Sequence, residues 1–366
     1  MHYPGRMSSV SPTGSPTFER LLVVRLSAMG DIIHTMPAVA ALRAAFPHAI
    51  LGWLVEERWA ELLCTLPYPR SAHRSPQKPL VDRIHTINTA EWRGALLSFN
   101  TWQQVAAGWS ELRGQRYEAV IDFQGAVRSA LLARWSGAAI VYGDTQPREN
   151  AASMFYTRQV LTRGTHVIEQ AMSLAQAVIQ RSIAPCAVEF PVDSDADKRI
   201  ATLTPNVSGF AILNPGAGWG AKQWPVERYG IVAKELVKYG VPSLVNYGPG
   251  EAGLAEAVET ASDGAARRIS CSVSELIALT RHARLFIGGD TGPMHLAAAL
   301  HVPVVGIFGP TNPARNGPFG TRSIVLRNAS SSTSHARLRD PEKGMLEIMP
   351  EQVLDAARKL LGLRQA

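Results

Sequence analysis

The segment from Phe286 to Pro313 contains residues suited to binding an anion. It reads FIGGDTGPMHLAAALHVPVVGIFGPTNP, which is an apolar run, then Asp290, Thr291 and Gly292, a short helical stretch and a second apolar run. A strand that enters a helix at this point leaves free backbone N–H groups at the positive end of the helix dipole. Such helix ends bind phosphate groups, so we predict a diphosphate site here. The alternative is that Asp290 or Thr291 only caps the helix.

A carboxylate follows the first predicted strand. The run LLVVRL leads into Ser27-Ala28-Met29-Gly30-Asp31 and then into a helix. Asp31 should therefore lie at the carboxyl edge of a sheet, where a general base could remove a proton from an attacking hydroxyl and contribute on the order of a hundredfold. The alternative is a first-turn acid that complements the helix dipole. His34 is a weaker candidate for the base.

Two later loops and one helix carry further polar candidates. The loop NPGAGWGAKQWP contains Lys222, which could meet a phosphate oxygen; the alternative is a solvated loop lysine. Another strand ends at YGPGE, where Glu251 could accept hydrogen bonds from a ribose diol or could simply begin the next helix. His295 follows Gly292 closely enough to face a diphosphate.

Several motifs are missing from the sequence. No GxGxxG opens a helix at the first strand of either half, which argues against a nicotinamide oxidoreductase, and neither GxxxxGK[ST] nor GxSxG occurs. HExxH is absent and no two histidines have metal-ligand spacing, so we predict no metal in catalysis.

Composition predicts a soluble protein with two domains. The chain has 366 residues, of which 46% are hydrophobic and 18% charged. It has neither a run of about 18 apolar residues nor a signal peptide, so we expect it to be cytoplasmic. The net charge of +7 predicts an anionic partner, but no basic run resembles a nucleic-acid arm, so we expect no nucleic-acid partner. The three cysteines, which lack paired spacing, are expected to be buried thiols.

Strand and helix patterns alternate along the chain, as in α/β proteins with parallel sheets. We predict two Rossmann-like doubly wound domains that face a central cleft. Predicted strands cover residues 20–26, 49–55, 83–87, 118–122, 139–142, 209–214, 241–247, 284–288, 302–307 and 323–326. Predicted helices cover residues 31–45, 56–64, 96–113, 125–135, 166–181, 226–239, 251–261, 274–281 and 291–299. The predicted organisation is a flexible N-terminal extension (1–17), a first domain (18–190), a second domain (191–349) and a terminal helix (350–366).

Three ordered motifs resemble the heptosyltransferases of lipopolysaccharide inner-core synthesis. They are RLSAMGDIIHTMPAVAALRAAFP, NPGAGWGAKQWPVERY and GGDTGPMHLAAALHVPVVGIFGPTNP. LVEE (54–57), AVIDFQGAVRSA (119–130) and RENAASMFY (148–156) are more similar to heptosyltransferase I than to heptosyltransferase II. The resemblance implies a GT-B fold, inverting transfer of heptose from ADP-heptose to Kdo-lipid A, and no cofactor or essential metal. The terminal helix near 350–362 could belong to either half, and analogy to the fold suggests that it returns to the first domain.

The resemblance assigns roles to particular residues. Asp31 matches the catalytic base, and Lys222 matches a lysine near the donor sugar and phosphate. The residues implied to bind the nucleotide sugar are Gly216, Ala217, Gly218, Lys222, Glu251, Val273, Asp290, Thr291, Gly292 and His295. Those implied to bind the acceptor are Ser27, Ala28, Gly30, Arg93, Gln124, Arg128 and Arg148.

The acceptor is less well defined by the resemblance than the donor. Ala90 and Glu91 occupy a place where the resemblance leads one to expect more basic residues. The alternatives are a related GT-B transferase with another acceptor or nucleotide sugar, heptosyltransferase II included, and a non-catalytic glycolipid-binding homologue. The positive charge and a lipid-linked acceptor also lead to the hypothesis that the protein contacts the cytoplasmic face of the inner membrane.

Overall fold

The protein contains two six-stranded parallel sheets with helices on both faces. The computed structural model describes residues 16–95, 98–204, 209–334, 336 and 338–363, apart from the side chains of residues 90, 93 and 100; most of the predicted N-terminal extension lies outside this part. The first sheet consists of β1 (Arg20–Val24), β2 (Ile50–Glu56), β3 (Arg83–Ile87), β4 (Ala119–Asp122), β5 (Ile140–Asp144) and β6 (Arg158–Val160). The second consists of β7 (Phe210–Asn214), β8 (Ser243–Tyr247), β9 (Ala266–Ser270), β10 (Ala283–Gly289), β11 (Val304–Phe308) and β12 (Ser323–Arg327).

Both sheets have the strand order of a dinucleotide-binding fold. The first runs β3-β2-β1-β4-β5-β6 and the second β12-β11-β10-β7-β8-β9, which is the same order counted from the first strand of each half. The helices are α1 (Met29–Ala45), α2 (Thr89–Gly94), α3 (Phe99–Gly114), α4 (Val127–Trp135), α5 (Val167–Ile179), α6 (Ser194–Leu203), α7 (Val226–Lys238), α8 (Ala252–Ala261), α9 (Val273–His282), α10 (Gly292–Ala299), α11 (Pro313–Asn316), α12 (Lys343–Leu346) and α13 (Pro350–Leu361). The prediction of two doubly wound α/β domains is confirmed.

The central strands are buried on both faces. Leu21 to Val24 in β1 have no exposed surface, and all five residues of β7 are buried. Strands covered by helices on both sides read as continuous apolar runs, which is why the sequence revealed them. In the described part of the chain, each helix is too short or too polar to cross a membrane. Cys64 is buried as expected, but Cys186 and Cys271 are partly exposed.

Some elements differ from the prediction. Residues Glu57–Leu62 form a 3-10 helix where an α-helix was predicted, and β6, β9 and α6 were not predicted. The strand β9 reads ARRIS, and its two arginines are exposed, so it has no apolar run. The helix α6 begins after Asp193, whose carboxylate accepts from two backbone N–H groups. Its polar first turn resembles a linker in sequence.

The C-terminal helix packs on the second domain. The helix α13 lies against α7 and against β10, β11 and β12. Val353, Ala357 and Leu360 belong to the core of that half. Trp224 fixes the preceding segment, because its indole Nε1–H donates to the Ile348 carbonyl over 2.9 Å. The expected return of this helix to the first domain is therefore wrong: its apolar face is buried against the second sheet.

The two domains meet where α1 packs against α10. A Cβ atom added to Gly30 would lie 2.6 Å from the imidazole Cδ2 of His295. A Cβ atom added to Gly292 would lie 2.7 Å from the sulfur of Met29. A second contact joins the Ser274 N–H to the Glu61 carboxylate over 3.0 Å. Both glycines lie in the first turn of a helix, and their missing side chains allow the two helices to approach.

Replacing Trp224 with Ala should lower the free energy of unfolding by about 3–5 kcal/mol, because this fully buried indole packs edge-on against Tyr229 and anchors the segment before α13. Chemical denaturation monitored by far-UV circular dichroism would measure the change. The control Met154→Ala, at a side chain that is 76% exposed, should stay within about 0.5 kcal/mol of the parent. Equal stability of the two variants would contradict the assigned role of Trp224.

Candidate active site

A cavity of about 1690 Å³ lies between the carboxyl edges of the two sheets. Residues from both domains line it, so a ligand held there contacts both halves. The cavity brings together many of the residues singled out from the sequence. These are Ser27, Ala28, Gly30, Asp31, His34, Gln124, Arg128, Arg148, Lys222, Asp290, Thr291, Gly292 and His295.

Other predicted residues lie elsewhere in the described structure. Gly216, Ala217, Gly218, Glu251 and Val273 are not part of the lining of this cavity. The Glu251 carboxylate lies against Gly216 and accepts from the Gly248 N–H over 2.9 Å. Glu251 is the N-cap residue of α8, which fits the alternative that it begins the next helix. Val273 begins α9 and packs against the core.

Arg93 and Gln124 were both predicted to bind the acceptor, and the outcomes of these two predictions differ. The Arg93 side chain lies outside the described part of the chain. Gln124 lines the cavity, but its carbonyl oxygen accepts from the Leu26 N–H over 2.8 Å. The adjoining Asp122, whose pKa is raised by burial, accepts from the Gln124 N–H over 2.9 Å. Gln124 therefore holds the loop between β1 and α1 in place.

The Asp31 carboxylate is held at the edge of the cavity. One oxygen accepts from the Ala28 N–H over 3.1 Å, and the other lies 2.7 Å from the Arg25 guanidinium. The Asp31 side chain is nevertheless 42% exposed, whereas that of Arg25 is only 14% exposed. Asp31 therefore lies in the first turn of α1, where it complements the helix dipole, and its carboxylate also remains accessible to a ligand. Arg25 was not predicted as a site residue. The only indication of its role in the sequence was a charge within the apolar run LLVVRL.

Lys222 forms a buried ion pair with Asp290. Its Nζ atom lies 2.7 Å from one carboxylate oxygen of Asp290, 3.1 Å from the Asp290 carbonyl and 4.4 Å from the centre of the Trp219 ring. The Lys222 side chain is 11% exposed, so the alternative of a solvated lysine is wrong. Burial by itself would raise the pKa of Asp290, but His295 and Lys222 hold it well below its usual range. Asp290 is therefore ionised.

The N-terminus of α10 lacks a side-chain cap. Thr291 is the N-cap residue, but its hydroxyl donates to the Gly289 carbonyl over 3.3 Å and makes no capping hydrogen bond. The Asp290 carboxylate is directed to Lys222 and His295. Neither side chain caps the helix, so the capping alternative is wrong. The first turn of α10 retains N–H groups that can receive an anion.

Histidines from both domains meet at the wall of the cavity, which His34 and His295 line. His34 Nε2 lies 2.9 Å from His295 Nδ1, and His295 Nε2 lies 3.1 Å from an oxygen of Asp290. The His166 ring lies 5.5 Å from that of His34, centre to centre, and its Nε2 lies 3.0 Å from the Gly317 carbonyl. Burial, helped by the neighbouring imidazoles, lowers the pKa of His34 well below its usual value, and burial lowers that of His166 too.

The first-domain side of the cavity contains a fixed arginine. The Arg128 guanidinium donates to the Thr89 hydroxyl over 2.6 Å and lies 3.5 Å from the Glu56 carboxylate. Arg128 is 40% exposed, whereas Glu56 is only 8% exposed, so the acid holds the arginine at the cavity surface. Glu56 belongs to the LVEE motif, but no pattern in the sequence predicts its hydrogen bond with Thr89.

Sequence reasoning also missed Thr311 in the second domain. Thr311 follows β11 and lines the cavity, yet it is only 4% exposed. Within the described part of the chain its hydroxyl has no hydrogen-bond partner. The available signal was a polar residue shortly after an apolar strand, in the run Gly309-Pro310-Thr311.

Two Rossmann-type sheets that share one cleft, with an uncapped helix N-terminus in one half and an accessible carboxylate in the other, define a GT-B glycosyltransferase. The sequence profile of glycosyltransferase family 9 (heptosyltransferase) matches residues 105–346. The chain belongs to this family, and the resemblance inferred from its motifs is confirmed.

Individual relatives agree with this assignment. Lipopolysaccharide heptosyltransferase 1 of Pseudomonas aeruginosa is 29% identical over 316 residues, which are 84% of this chain and 83% of that protein. The Escherichia coli K12 protein of the same name is 27% identical and covers 84% of this chain and 93% of its own. These relatives place the chain among proteins of lipopolysaccharide heptosyl transfer.

Solved structures share the fold over almost the whole chain. E. coli heptosyltransferase WaaC with ADP superposes with a TM-score of 0.75 at 24% identity and covers 93% of this chain and 99% of that chain. A family 9 glycosyltransferase from Veillonella parvula gives a TM-score of 0.78 at 21% identity and covers 95% and 98%. The predicted GT-B fold is therefore confirmed.

Buried neutral imidazoles should make the protein less stable in acid. Because folding lowers the pKa of His34, the unfolded chain binds more protons below pH about 6.5, and stability falls as the pH drops through that range. His34→Gln should reduce this slope by up to about 1.4 kcal/mol per pH unit, as measured by urea denaturation between pH 5 and 7. The exposed His48→Gln serves as the control. An unchanged slope in His34→Gln would show that folding does not lower the pKa of this imidazole.

Proposed function

We propose that the protein transfers L-glycero-D-manno-heptose from ADP-heptose to a Kdo sugar of Kdo-lipid A, with inversion at the anomeric carbon. The observation that carries the proposal is the pairing of Asp31 with the uncapped N-terminus of α10 across one cavity. The names of the relatives, lipopolysaccharide heptosyltransferase 1 and WaaC with ADP, support this choice of reaction and nucleotide.

Asp31 acts as the general base. The attacking Kdo hydroxyl gives its proton to the carboxylate as the new bond to the anomeric carbon forms. Arg25 fixes the orientation of that carboxylate through the 2.7 Å ion pair. Arg128 and Arg148, which line the first-domain side of the cavity, bind carboxylates or phosphates of the acceptor.

The second domain stabilises the leaving group. As the bond between the anomeric carbon and the phosphate oxygen breaks, its electron pair goes to ADP. The first turn of α10 at Gly292 supplies N–H groups to the diphosphate, and Lys222 supplies a positive charge. Asp290 holds Lys222 beside that helix, which places the lysine charge next to the proposed diphosphate site.

The same arrangement supports a reaction without a metal ion or other cofactor. A lysine and a helix N-terminus provide the positive charge that a divalent cation would otherwise supply to a diphosphate. We further propose that the reaction takes place in the cytoplasm, and contact with the inner membrane stays a prediction.

Replacing Asp31 with Asn should lower kcat for heptosyl transfer by at least about a hundredfold, because the amide cannot accept the proton, while ADP affinity stays within about threefold. Product mass and ADP release would be measured with Kdo-lipid A as acceptor. The control Glu235→Gln removes the same charge from the outer surface of α7 and should leave kcat unchanged. Near-parental turnover by Asp31→Asn would remove this residue from the mechanism.

A donor panel should show turnover with ADP-heptose and at most traces with UDP- or GDP-sugars. Excess EDTA should leave the rate within about twofold, because Lys222 and α10 supply the charge. Preference for another nucleotide sugar would replace the proposed donor, and strong inhibition by EDTA that a divalent cation reverses would refute the metal-free mechanism. No turnover with any donor, despite ADP binding, would favour a non-catalytic glycolipid-binding homologue.

A further inference from the structure

A hydrogen bond between two histidines crosses the domain interface. His34 belongs to α1 in the first domain and His295 to α10 in the second, and their nitrogens lie 2.9 Å apart. Both residues are buried, at 7% and 6% exposed. His34 is separated from the Asp31 carboxylate by almost one helical turn and makes no contact with it among those described. The proposed reaction therefore leaves the bond to His295 without a role.

The ionised Asp290 fixes one end of this chain of hydrogen bonds. Its carboxylate can only accept, so His295 Nε2 carries a hydrogen and donates to it. The other ring nitrogen of His295, Nδ1, shares a hydrogen bond with His34 Nε2. The groups that face His34 are His295, His166, Asp290 and Arg25, of which only Asp290 is acidic. This environment keeps His34 neutral.

The hydrogen bonds continue from His34 to Lys222. One oxygen of Asp290 accepts from His295, and the other is paired with Lys222 at 2.7 Å. The rotation of the Asp290 carboxylate is thus set by His295 and determines where the lysine ammonium stands. His34 reaches that ammonium through two intervening side chains, and it does so from the opposite domain.

The bond between the histidines depends on close approach of the two helices. Gly30, one turn before His34, has its Cα against the His295 ring, where a Cβ would lie only 2.6 Å from Cδ2. Without His34 at this distance, His295 Nδ1 would lose this hydrogen-bond partner and the ring would be freer to rotate. The carboxylate of Asp290 would then lose one of its fixed partners.

We propose that His34 is a positioning residue that sets, from the first domain, the arrangement of Lys222 at the diphosphate site. This inference rests on the proposed function, because it assigns to Lys222 a diphosphate ligand. The hydrogen bond between His34 and His295 orients the His295 ring, that ring sets the rotation of the Asp290 carboxylate, and the carboxylate places the lysine ammonium.

Two neutral substitutions separate hydrogen bonding from packing. His34→Gln is long enough to place an amide N–H where the imidazole Nε2 stands, whereas His34→Asn is one methylene shorter and cannot reach His295. The readout is the affinity for ADP relative to AMP, because Lys222 is proposed to contact the diphosphate. His34→Asn should reduce this preference about tenfold, and His34→Gln should retain it within about threefold. Isothermal titration calorimetry measures both ligands.

A double-mutant cycle tests the route through His295. If His34 acts through that ring, His34→Asn should have little further effect on ADP affinity in a His295→Ala background. A merely structural role would weaken ADP and AMP binding alike, and Gln would not restore it.

The inference is overturned if His34→Asn keeps the parental preference for ADP, or if its effect adds fully to that of His295→Ala. Failure of the proposed function looks different, since the parent protein would then show no preference for ADP over AMP or would bind neither.

Discussion

The close approach of α1 and α10 is the contact on which the site depends. Each helix begins at the carboxyl edge of a central strand, and each brings its first turn to the shared cavity. Gly30 and Gly292 make this possible, since a methyl group on either would collide with the other domain. The Asp31 carboxylate and the uncapped N–H groups of α10 consequently face one ligand volume. Neither half could assemble this pair of groups alone.

Burying charge beside that contact is costly unless each charged atom has a partner. Asp290 meets this requirement, because one oxygen faces Lys222 and the other faces His295. The ion pair between Lys222 and Asp290 is fixed in place. It does not stabilise the fold as much as well-packed apolar side chains would. Its position next to an uncapped helix end is better explained by ligand binding than by folding. The low pKa of Asp290 is a sign of the same fixed arrangement.

The sequence predicted the central strands, α1 and α10 well, because buried parallel strands are unbroken apolar runs and glycine marks where they turn into helices. It did not reveal β9, whose exposed Arg267 and Arg268 interrupt the apolar pattern, or α6, whose first turn is polar. The position of α13 was also missed. Its apolar face is evident from periodicity, but periodicity does not say which core will receive that face.

The lining of the cavity was also predicted only in part, because the sequence shows local patterns and not distant contacts. Residues carried by local motifs, such as Asp31 and Thr291, were found because a strand end and a helix start are neighbours in sequence. The burial of Lys222 and the partnership of His34 with His295 were not, since the partners are 68 and 261 positions apart. Contacts of that kind are set by the docking of two domains and leave no mark in either motif.

The close contact between Gly30 and the His295 ring has a consequence for how the two domains can be separated. A single methyl group at this position would press on the His295 ring, whose Nε2 is bonded to Asp290. An alanine there would change the spacing of the two helices and displace that ring, while every reactive group of the chain remained present.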